Sequence, residues 1–349
     1  MNRPRIRTGA AVIVLVALVA VVLAGAVVPG GTPQAKAADD PVILTIPGND
    51  QTKTFTMTQL QALPGAYSGV YGTINSAGTV MPPKPVKGVR LSDLFALVGG
   101  MTAGNSVDVL ASDDYGMTFT YNEVANGAFQ MYGATSKAAE AAKSPVSLVL
   151  IYEYAGAALT PDVGPLRVAI CQDTDVNQVS EGHLNVKWVN RMNLRSAVVN
   201  WKVQLYGLVR KNGTRQHYTL DRKTYDSCAT PGCHGSAWTN SVSGKTWTGV
   251  PLFLCIGKVD GGKGHGGYGA YNEALALRGY RIKLVSTTGK YVIIGSRTIR
   301  NRDRIVLANK LMGAELTSTF YPLRLVGPVK YIPAAKRLGR LAKIVLLPK

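Results

Sequence analysis

The residues with the clearest chemical potential lie in one short segment of the chain. Cys228 and Cys233 flank an Ala-Thr-Pro-Gly turn, and His234 follows directly. Thiolates bind soft metals, and imidazole binds zinc and haem iron. The segment could therefore bind a metal through a thiolate, attach haem covalently, or close a disulfide between its two cysteines.

The haem interpretation rests on the order Cys, Cys, His. The usual c-type attachment has two residues between the cysteines, whereas four separate Cys228 from Cys233. His234 would be one axial ligand, and His217 and His265 are available as the second. Haem is added after export, so this interpretation agrees with the N-terminal segment described below.

The structural interpretation of the same segment needs no cofactor. The turn brings the sulfurs of Cys228 and Cys233 close together, and an exported protein can form disulfides. A zinc site that adds His234 and His265 to the two cysteines is a variant of this structural interpretation. The remaining cysteines lie in apolar runs and are predicted to be buried in the core: Cys171 and Cys255.

Residues 1–38 are predicted to direct the chain out of the cytoplasm. Three separated arginines precede an uncharged run of about 20 residues, and Ala35-Lys36-Ala37 follows as a cleavage pattern. The run is long enough to span a bilayer, so the segment is either a cleaved signal peptide or an N-terminal anchor. No twin-arginine pair is present. The chain is therefore expected to cross the membrane unfolded, which counts against a cofactor inserted in the cytoplasm.

The chain is strongly basic. Its formal net charge is +19, and removal of the four basic residues within 1–38 lowers it to +15. Such a surface favours anionic envelope components or a small anionic ligand as partners. Nucleic acid is not expected outside the cytoplasm. Membrane contact is expected through the N-terminal segment, and the basic stretch 336–343 is a further candidate for an anionic surface.

Motifs that recur at one spacing predict an internal duplication. Gly156–Thr160 and Pro165–Val168 are answered by Gly313–Thr317 and Pro322–Leu325, each 157 residues later. Because Pro-Leu-Arg occurs in both copies, its arginine is predicted to have a structural role. The predicted divisions are a signal peptide or anchor at 1–38, repeat 1 at 39–195, repeat 2 at 196–335 and a basic tail at 336–349.

Each repeat is predicted to mix short helices with irregular strands, which indicates an α+β fold with mixed sheets. Thr56 and Gln59 form a capping box that opens a helix, and Leu91–Val98 is helical up to Gly99. Strands are predicted at Ser106–Ala111, Met117–Tyr121, Leu148–Tyr154, Leu166–Cys171, Trp201–Val209, Tyr280–Ser286, Lys290–Gly295, Arg304–Ala308 and Pro322–Gly327.

The ordered motifs resemble the molybdopterin-binding domain of the sulfite oxidase family. The resemblance is carried by Asp162–Arg167, Val186–Val189 and Trp247–Leu252, and it covers most of residues 50–328. It implies a sulfite-oxidase-like molybdopterin-binding fold, present as two tandem diverged copies.

The resemblance also implies which residues would hold the cofactor. In the family, one cysteine thiolate binds molybdenum and a Lys-Trp pair contacts the cofactor. Cys233 matches the cysteine, with His234 beside it, whereas Ser76 stands at that place in repeat 1. Lys187 and Trp188 match the pair in repeat 1 only, so the cofactor features are divided between the repeats.

Two functions of different classes follow. The first is a molybdopterin-dependent oxidoreductase that transfers oxygen atoms to or from a small anion and exchanges electrons with a redox partner protein. The second is a non-catalytic envelope binding module with a Cys228–Cys233 disulfide and no cofactor. A c-type haem protein that uses Cys228, Cys233 and His234 is the third interpretation. The residues alone assign no catalytic side chain and leave open whether the protein is an enzyme.

Overall fold

The structure, a computed structural model, describes residues 40–75, 77–210, 213–261 and 271–349. The predictions on the N-terminal segment, on Ser76 and on His265 lie outside these residues. Residues 40–195 are called the first half below, and residues 196–349 the second half. No helix in the described part of the chain has the length and apolar character needed to cross a membrane.

The first half consists of short helices set between strands of two sheets. Its elements are β1 (Val42–Pro47), β2 (Thr52–Thr56), α1 (Met57–Gln61), β3 (Tyr67–Ile74), β4 (Val80–Arg90), α2 (Leu91–Ala96), β5 (Asn105–Ala111), β6 (Gly116–Thr120), α3 (Tyr121–Asn126), β7 (Met131–Gly133), β8 (Ala139–Glu140), β9 (Val146–Tyr154), β10 (Ala157–Ala158), β11 (Arg167–Gln172), β12 (Gln178–Glu181), a 3₁₀ turn (Gly182–Leu184) and β13 (Val189–Ser196).

The second half likewise consists of short helices set between strands. Its elements are β14 (Lys202–Val209), β15 (Arg215–Asp221), α4 (Arg222–Cys228), β16 (Ser236–Thr239), β17 (Thr246–Pro251), α5 (Leu252–Ile256), α6 (Glu273–Arg278), β18 (Arg281–Ser286), β19 (Tyr291–Gly295), α7 (Ser296–Ile299), β20 (Val306–Leu311), β21 (Ala314–Glu315), β22 (Arg324–Val326), a 3₁₀ turn (Ala334–Lys336) and β23 (Leu341–Leu347).

One five-stranded sheet in each half has the same layout. The order is β2-β1-β13-β5-β6 in the first half and β15-β14-β23-β18-β19 in the second. In each sheet the second and third strands of that order are parallel, and every other pair is antiparallel. The remaining strands form an eight-stranded sheet around β3, β4 and β9 in the first half and a five-stranded sheet around β17 and β20 in the second.

The secondary structure agrees with the predicted α+β class, since strands dominate and every helix of the described residues is short. The capping box is confirmed: the Gln59 amide N–H donates to Thr56 Oγ1, and the Thr56 amide N–H donates to Gln59 Oε1 at 2.9 Å. The helix at Leu91 is confirmed as well. Each predicted strand is present, with ends that differ by at most three residues.

The C-terminal residues differ from their prediction. The sequence predicts a separate basic tail at 336–349, whereas Leu341–Leu347 forms β23 in the middle of a sheet, parallel to β14 and antiparallel to β18. The reason is the placement of apolar residues: Leu341, Ile344 and Leu346 are buried in the core of the second half. Lys343 lies on the same strand and is exposed, so this basic residue is part of an integral strand and not of a tail.

Two large apolar cores stabilise the halves. The first lies between the two sheets of the first half and is also lined by its helices, and it includes Leu44, Phe95 and Leu150. The second has the equivalent place in the second half and includes Phe253 and Ile282. Residues 40–349 nevertheless form one compact unit. The two halves are in contact, and α4 of the second half packs against β6 of the first half.

Candidate functional site

Cys228 is the last residue of helix α4 and lies where the two halves meet. Asp221 caps the start of the helix: the carboxylate accepts the Thr224 amide N–H at 2.9 Å and the Thr224 hydroxyl at 3.1 Å. An aspartate at this position satisfies an amide that would otherwise lack a partner and interacts favourably with the helix dipole. The helix ends at Cys228, so the capping residue sets where the thiol lies.

Two basic residues attach α4 to the first half. Lys223 forms an ion pair with Glu123, and the two side chains are only 14% and 9% exposed. The Arg222 guanidinium donates to the Thr118 carbonyl of β6 at 3.3 Å and to the Asp226 carboxylate at 2.7 Å. Because these groups are buried together, α4 belongs structurally to both halves.

The loop after α4 is tightly organised. The His234 amide N–H donates to the Cys228 carbonyl at 2.9 Å, which brings Cys233 back toward the end of the helix. Glycine is required twice. A Cβ on Gly235 would lie 2.6 Å from the Ala229 carbonyl oxygen, and one on Gly232 would lie 2.7 Å from the Asp113 carbonyl oxygen of the first half. The loop is therefore packed against the first half.

A cavity of about 710 Å³ opens beside this loop and is lined by both halves. The second half contributes Cys228, Cys233 and Lys258. The first half contributes Asn75 and Ala77 from the loop between β3 and β4. That loop is the place in repeat 1 where the family resemblance expects a cysteine.

The two thiols lie in hydrogen-bonding contact, and the structure holds them as free thiols. The hydrogen bond from Cys233 lowers the pKa of Cys228 to about 7, and Lys258 and Ser227 act in the same direction. The same hydrogen bond, together with burial, raises the pKa of Cys233. At neutral pH Cys228 is therefore partly ionised, whereas the more exposed Cys233 stays a thiol.

Polar groups line the rest of this cavity. The Tyr132 hydroxyl donates to Glu181 at 2.7 Å, and Nδ1 of His183 lies 3.7 Å from the same carboxylate. Burial lowers the pKa of His183. The Tyr115 hydroxyl donates to the His183 carbonyl at 2.7 Å, and burial raises the pKa of Tyr115 to about 12. The tyrosine therefore remains a hydrogen-bond donor throughout the physiological range.

A second cavity of about 220 Å³ shares Tyr115 and His183 with the first, so the two adjoin. Its lining includes Lys187, Trp188 and Arg167. The indole N–H of Trp188 donates to the Pro161 carbonyl at 2.8 Å, and the residue has a φ of 48°. Few bulky residues adopt this left-handed conformation, so the surrounding contacts must hold it there.

Arg167 is the basic residue of the second cavity that lacks a complete set of partners. Its guanidinium carbon lies 4.8 Å from the Tyr71 ring centroid, and its Nε is buried without a hydrogen-bond partner. A buried donor without an acceptor costs stability. With Lys187 in the same cavity, the arginine makes this space suited to an anionic group.

The structure thus brings four of the five predicted site residues to adjoining cavities: Cys228 and Cys233 in one, Lys187 and Trp188 in the other. The fifth, His234, does not line either cavity. Cys171 and Cys255 are 0% and 6% exposed, which confirms their predicted burial. Among the described residues, no group of three or more His, Cys, Asp or Glu side chains is arranged around a metal position; His265 of the zinc variant lies outside them.

Sequence reasoning missed Tyr115, His183 and Lys258 as neighbours of the thiols. They come from three separate segments, and only the packing of α4 against the first half brings them together. His183 follows Glu181 closely in the sequence, and that pair is the one signal that could have marked the site.

Comparison with known proteins gives little further information. No family model matches the chain, and no curated protein matches it. Among solved structures, the sulfane dehydrogenase SoxCD from Paracoccus pantotrophus is similar, with 14% sequence identity and a TM-score of 0.33. The match covers 73% of this chain and 59% of that chain.

Proposed function

We propose that the protein is an extracytoplasmic oxidoreductase of the molybdopterin type, with its site in the two adjoining cavities between the halves. One observation carries the proposal: Cys228 and Cys233 of the second half and the Asn75 loop of the first half line the same cavity. A cysteine that repeat 1 lacks at its own loop is thereby supplied by repeat 2. In this proposal the divided cofactor features lie in the two adjoining cavities.

The residues present fit such a cofactor. A thiolate is the ligand type expected for a soft metal, and Cys233 is the more exposed of the two sulfurs. Lys187, Trp188 and the unpaired Nε of Arg167 would hold the pterin and its phosphate. When bound, the cofactor would supply two-electron oxygen-atom transfer.

The chain's own residues have separate tasks in this proposal. Lys258 and Lys137 line the larger cavity and would contact a small anion there. The Glu181 and Asp221 carboxylates line it too, so the attraction of anions comes from the strongly basic chain as a whole. Tyr115 keeps its proton at neutral pH, since its pKa is about 12. As a metal ligand Cys233 would have to be a thiolate, and the neighbouring Cys228 would serve as the base that takes up its proton.

The proposal includes an ancestral duplication. Support comes from the 157-residue offset of the motifs and from the equal order and direction of strands in one sheet of each half. It also comes from equivalent backbone bonds: Val168 N–H to the Val186 carbonyl, and Leu325 N–H to the Leu338 carbonyl, each at 2.8 Å. Export, a redox partner protein and a small anionic substrate complete the proposal.

The first test is release of a pterin from the full chain purified from its own host. Acid denaturation with oxidation converts a bound molybdopterin to a fluorescent derivative. We expect the wild type to release the derivative and Lys187→Ala to release at least about tenfold less. Loss of a side chain that supports a bound metal centre commonly lowers its affinity by about that factor. Lys202→Ala is the matched control, since Lys202 is an exposed lysine that lines neither cavity.

Absence of pterin from the wild type would contradict the proposal, as would equal release from the Lys187 and Lys202 variants. The second candidate function, an envelope binding module, is favoured by the direct contact of the two thiols. A pterin-free protein in which peptide mapping finds a Cys228–Cys233 disulfide would support that candidate instead.

A further inference from the structure

Two arginines of the second half lie side by side on a pair of tryptophans. Trp238 of β16 and Trp247 of β17 are direct cross-strand partners. The Arg337 guanidinium carbon lies 4.6 Å from the Trp238 ring centroid, and that of Arg324 lies 4.7 Å from the Trp247 ring centroid. Directly opposite residues share one face of a sheet about 5 Å apart, so the two guanidinium groups are neighbours.

Neither arginine has an acidic partner in the part of the chain that the structure describes. No salt bridge among the described residues involves Arg324 or Arg337. The Nε atoms of both are buried without a hydrogen-bond partner. The Arg337 guanidinium donates only a long bond of 3.4 Å, to the Gly327 carbonyl. Burial and the charge of Arg337 lower the pKa of Arg324.

Stacking on an aromatic ring does not by itself explain this arrangement. Arg302 stacks on Tyr331 at 3.9 Å in the same half, yet its guanidinium donates to the Arg297 and Thr298 carbonyls. A stacked arginine can therefore still donate to backbone carbonyls in this fold. Two adjacent guanidinium groups with unsatisfied donors repel each other and pay for desolvation, and an anion between them would remove both costs.

We propose that Arg324 and Arg337 form a binding site for a phosphate-type oxyanion, separate from the cavities between the halves. Both side chains are partly exposed, so an anion can reach them. Guanidinium groups match phosphate geometry with paired N–H donors. The stretch 297–349 contains twelve basic and two acidic residues, which raises the local concentration of anions. The chemical class is fixed by this donor set, whether the phosphate is free or part of an envelope lipid.

The test is a titration of the full chain with inorganic phosphate, followed by tryptophan fluorescence and by the unfolding temperature. The two arginines stack on Trp238 and Trp247, so phosphate binding should change the fluorescence emission of these tryptophans. We expect saturable binding by the wild type and about tenfold weaker binding by Arg337→Gln, the loss expected for one charge-assisted hydrogen bond. Sodium chloride at equal ionic strength is the control for general screening.

Arg302→Gln is the matched control variant, because it removes a stacked arginine whose Nη1 already donates to two backbone carbonyls. It should bind phosphate within about twofold of the wild type. Arg324→Lys keeps the charge but loses the paired donors, and it should weaken binding if Arg337→Gln proves unstable. The proposal is overturned if phosphate binding is not saturable, or if the Arg337 and Arg302 variants bind equally well.

Two further arms identify the source of the phosphate. Sedimentation with phosphatidylglycerol vesicles, but not phosphatidylcholine vesicles, with loss in Arg337→Gln would assign a lipid phosphate. Binding to free phosphate alone would assign a soluble anion. Cys233→Ala should bind phosphate as the wild type does, because Cys233 belongs to the other proposed site. The phosphate site is therefore tested independently of the cofactor proposal.

Discussion

Cys228 and Cys233 differ in their surroundings although they share one short loop. Cys228 accepts a hydrogen bond and lies near Lys258, and both interactions favour its thiolate. Cys233 donates that hydrogen bond and is the more exposed residue. The reactive sulfur of the free protein and the more accessible sulfur are therefore different residues, and either oxidation or metal binding must first break their hydrogen bond.

This difference predicts a pH-dependent reactivity. Cys228 should react with a small methanethiosulfonate at a rate that reaches half its maximum near pH 7, because its pKa is about 7, against about 8.5 for an unperturbed thiol. Replacing the hydrogen-bond donor by Cys233→Ala should move the midpoint to higher pH. Peptide mapping by mass spectrometry at several pH values measures both, and Cys255, which is buried, should remain unmodified.

A midpoint that stays near 8.5 in the wild type, or that does not move in Cys233→Ala, would contradict the assigned hydrogen bond.

At the residue scale, the sequence shows the sulfur pair and the Lys187-Trp188 pair because each is contiguous or nearly so. It does not show that Tyr115 or Arg167 adjoins them, since those contacts depend on how distant segments pack. The Pro-Leu-Arg arginines illustrate the limit. Their recurrence predicts a structural role, and both stack on aromatic rings, but only the structure shows that each also has a buried donor without a partner.

Among the elements, α4 has the largest influence on the site because it belongs to both halves. Its N-terminal turn is held by Asp221 and its second residue, Lys223, is paired with Glu123 of α3. Lys223 Nζ also lies 5.2 Å and 4.9 Å from the ring centroids of Phe119 and Phe129. A seven-residue helix cannot be stable alone, so these tertiary contacts determine its position.

The buried ion pair gives a prediction for stability. Lys223→Met keeps the aliphatic stem beside the two phenylalanines but leaves the Glu123 carboxylate buried without its partner. We expect a loss of about 3 kcal/mol in the free energy of unfolding, typical of one buried charge without its partner. Adding Glu123→Gln should restore most of that loss, because an amide still accepts the Thr120 amide N–H and carries no charge. Urea unfolding of the single and double variants measures the difference.

Lys202→Met, at an exposed lysine, should change the free energy of unfolding little. If the double variant is no more stable than Lys223→Met alone, the ion pair does not position α4.

The elements that the sequence predicts well are those with local signals. The capping box marks α1, and apolar periodicity marks α2 up to Gly99. Leu341–Leu347 is the contrary case. Its lysine and the neighbouring basic residues indicate a surface tail, but its apolar residues fill the second core. For this C-terminal segment, the spacing of the apolar residues is therefore a better predictor of burial than the number of basic residues.

At the scale of the whole molecule, the two halves share a sheet layout but differ at their sites. The first half keeps the Lys187-Trp188 pair and an arginine beside a cavity. The second half supplies the thiols and has its own pair of stacked arginines. Motif order at a 157-residue offset could predict the two halves. It could not predict that both halves line the cavity beside the thiols, since no local pattern encodes that contact.

The most direct test of the central claim is the molybdenum content of the full chain purified from its own host. The account predicts about one molybdenum per chain in the wild type and a loss of at least about tenfold in Cys233→Ala, because the thiolate is the proposed protein ligand. Cys255→Ala, which removes a buried cysteine from the core of the second half, should keep the metal. A metal-free wild type, or equal molybdenum in Cys233→Ala and the wild type, would contradict the claim that the cavity between the halves is a molybdenum site.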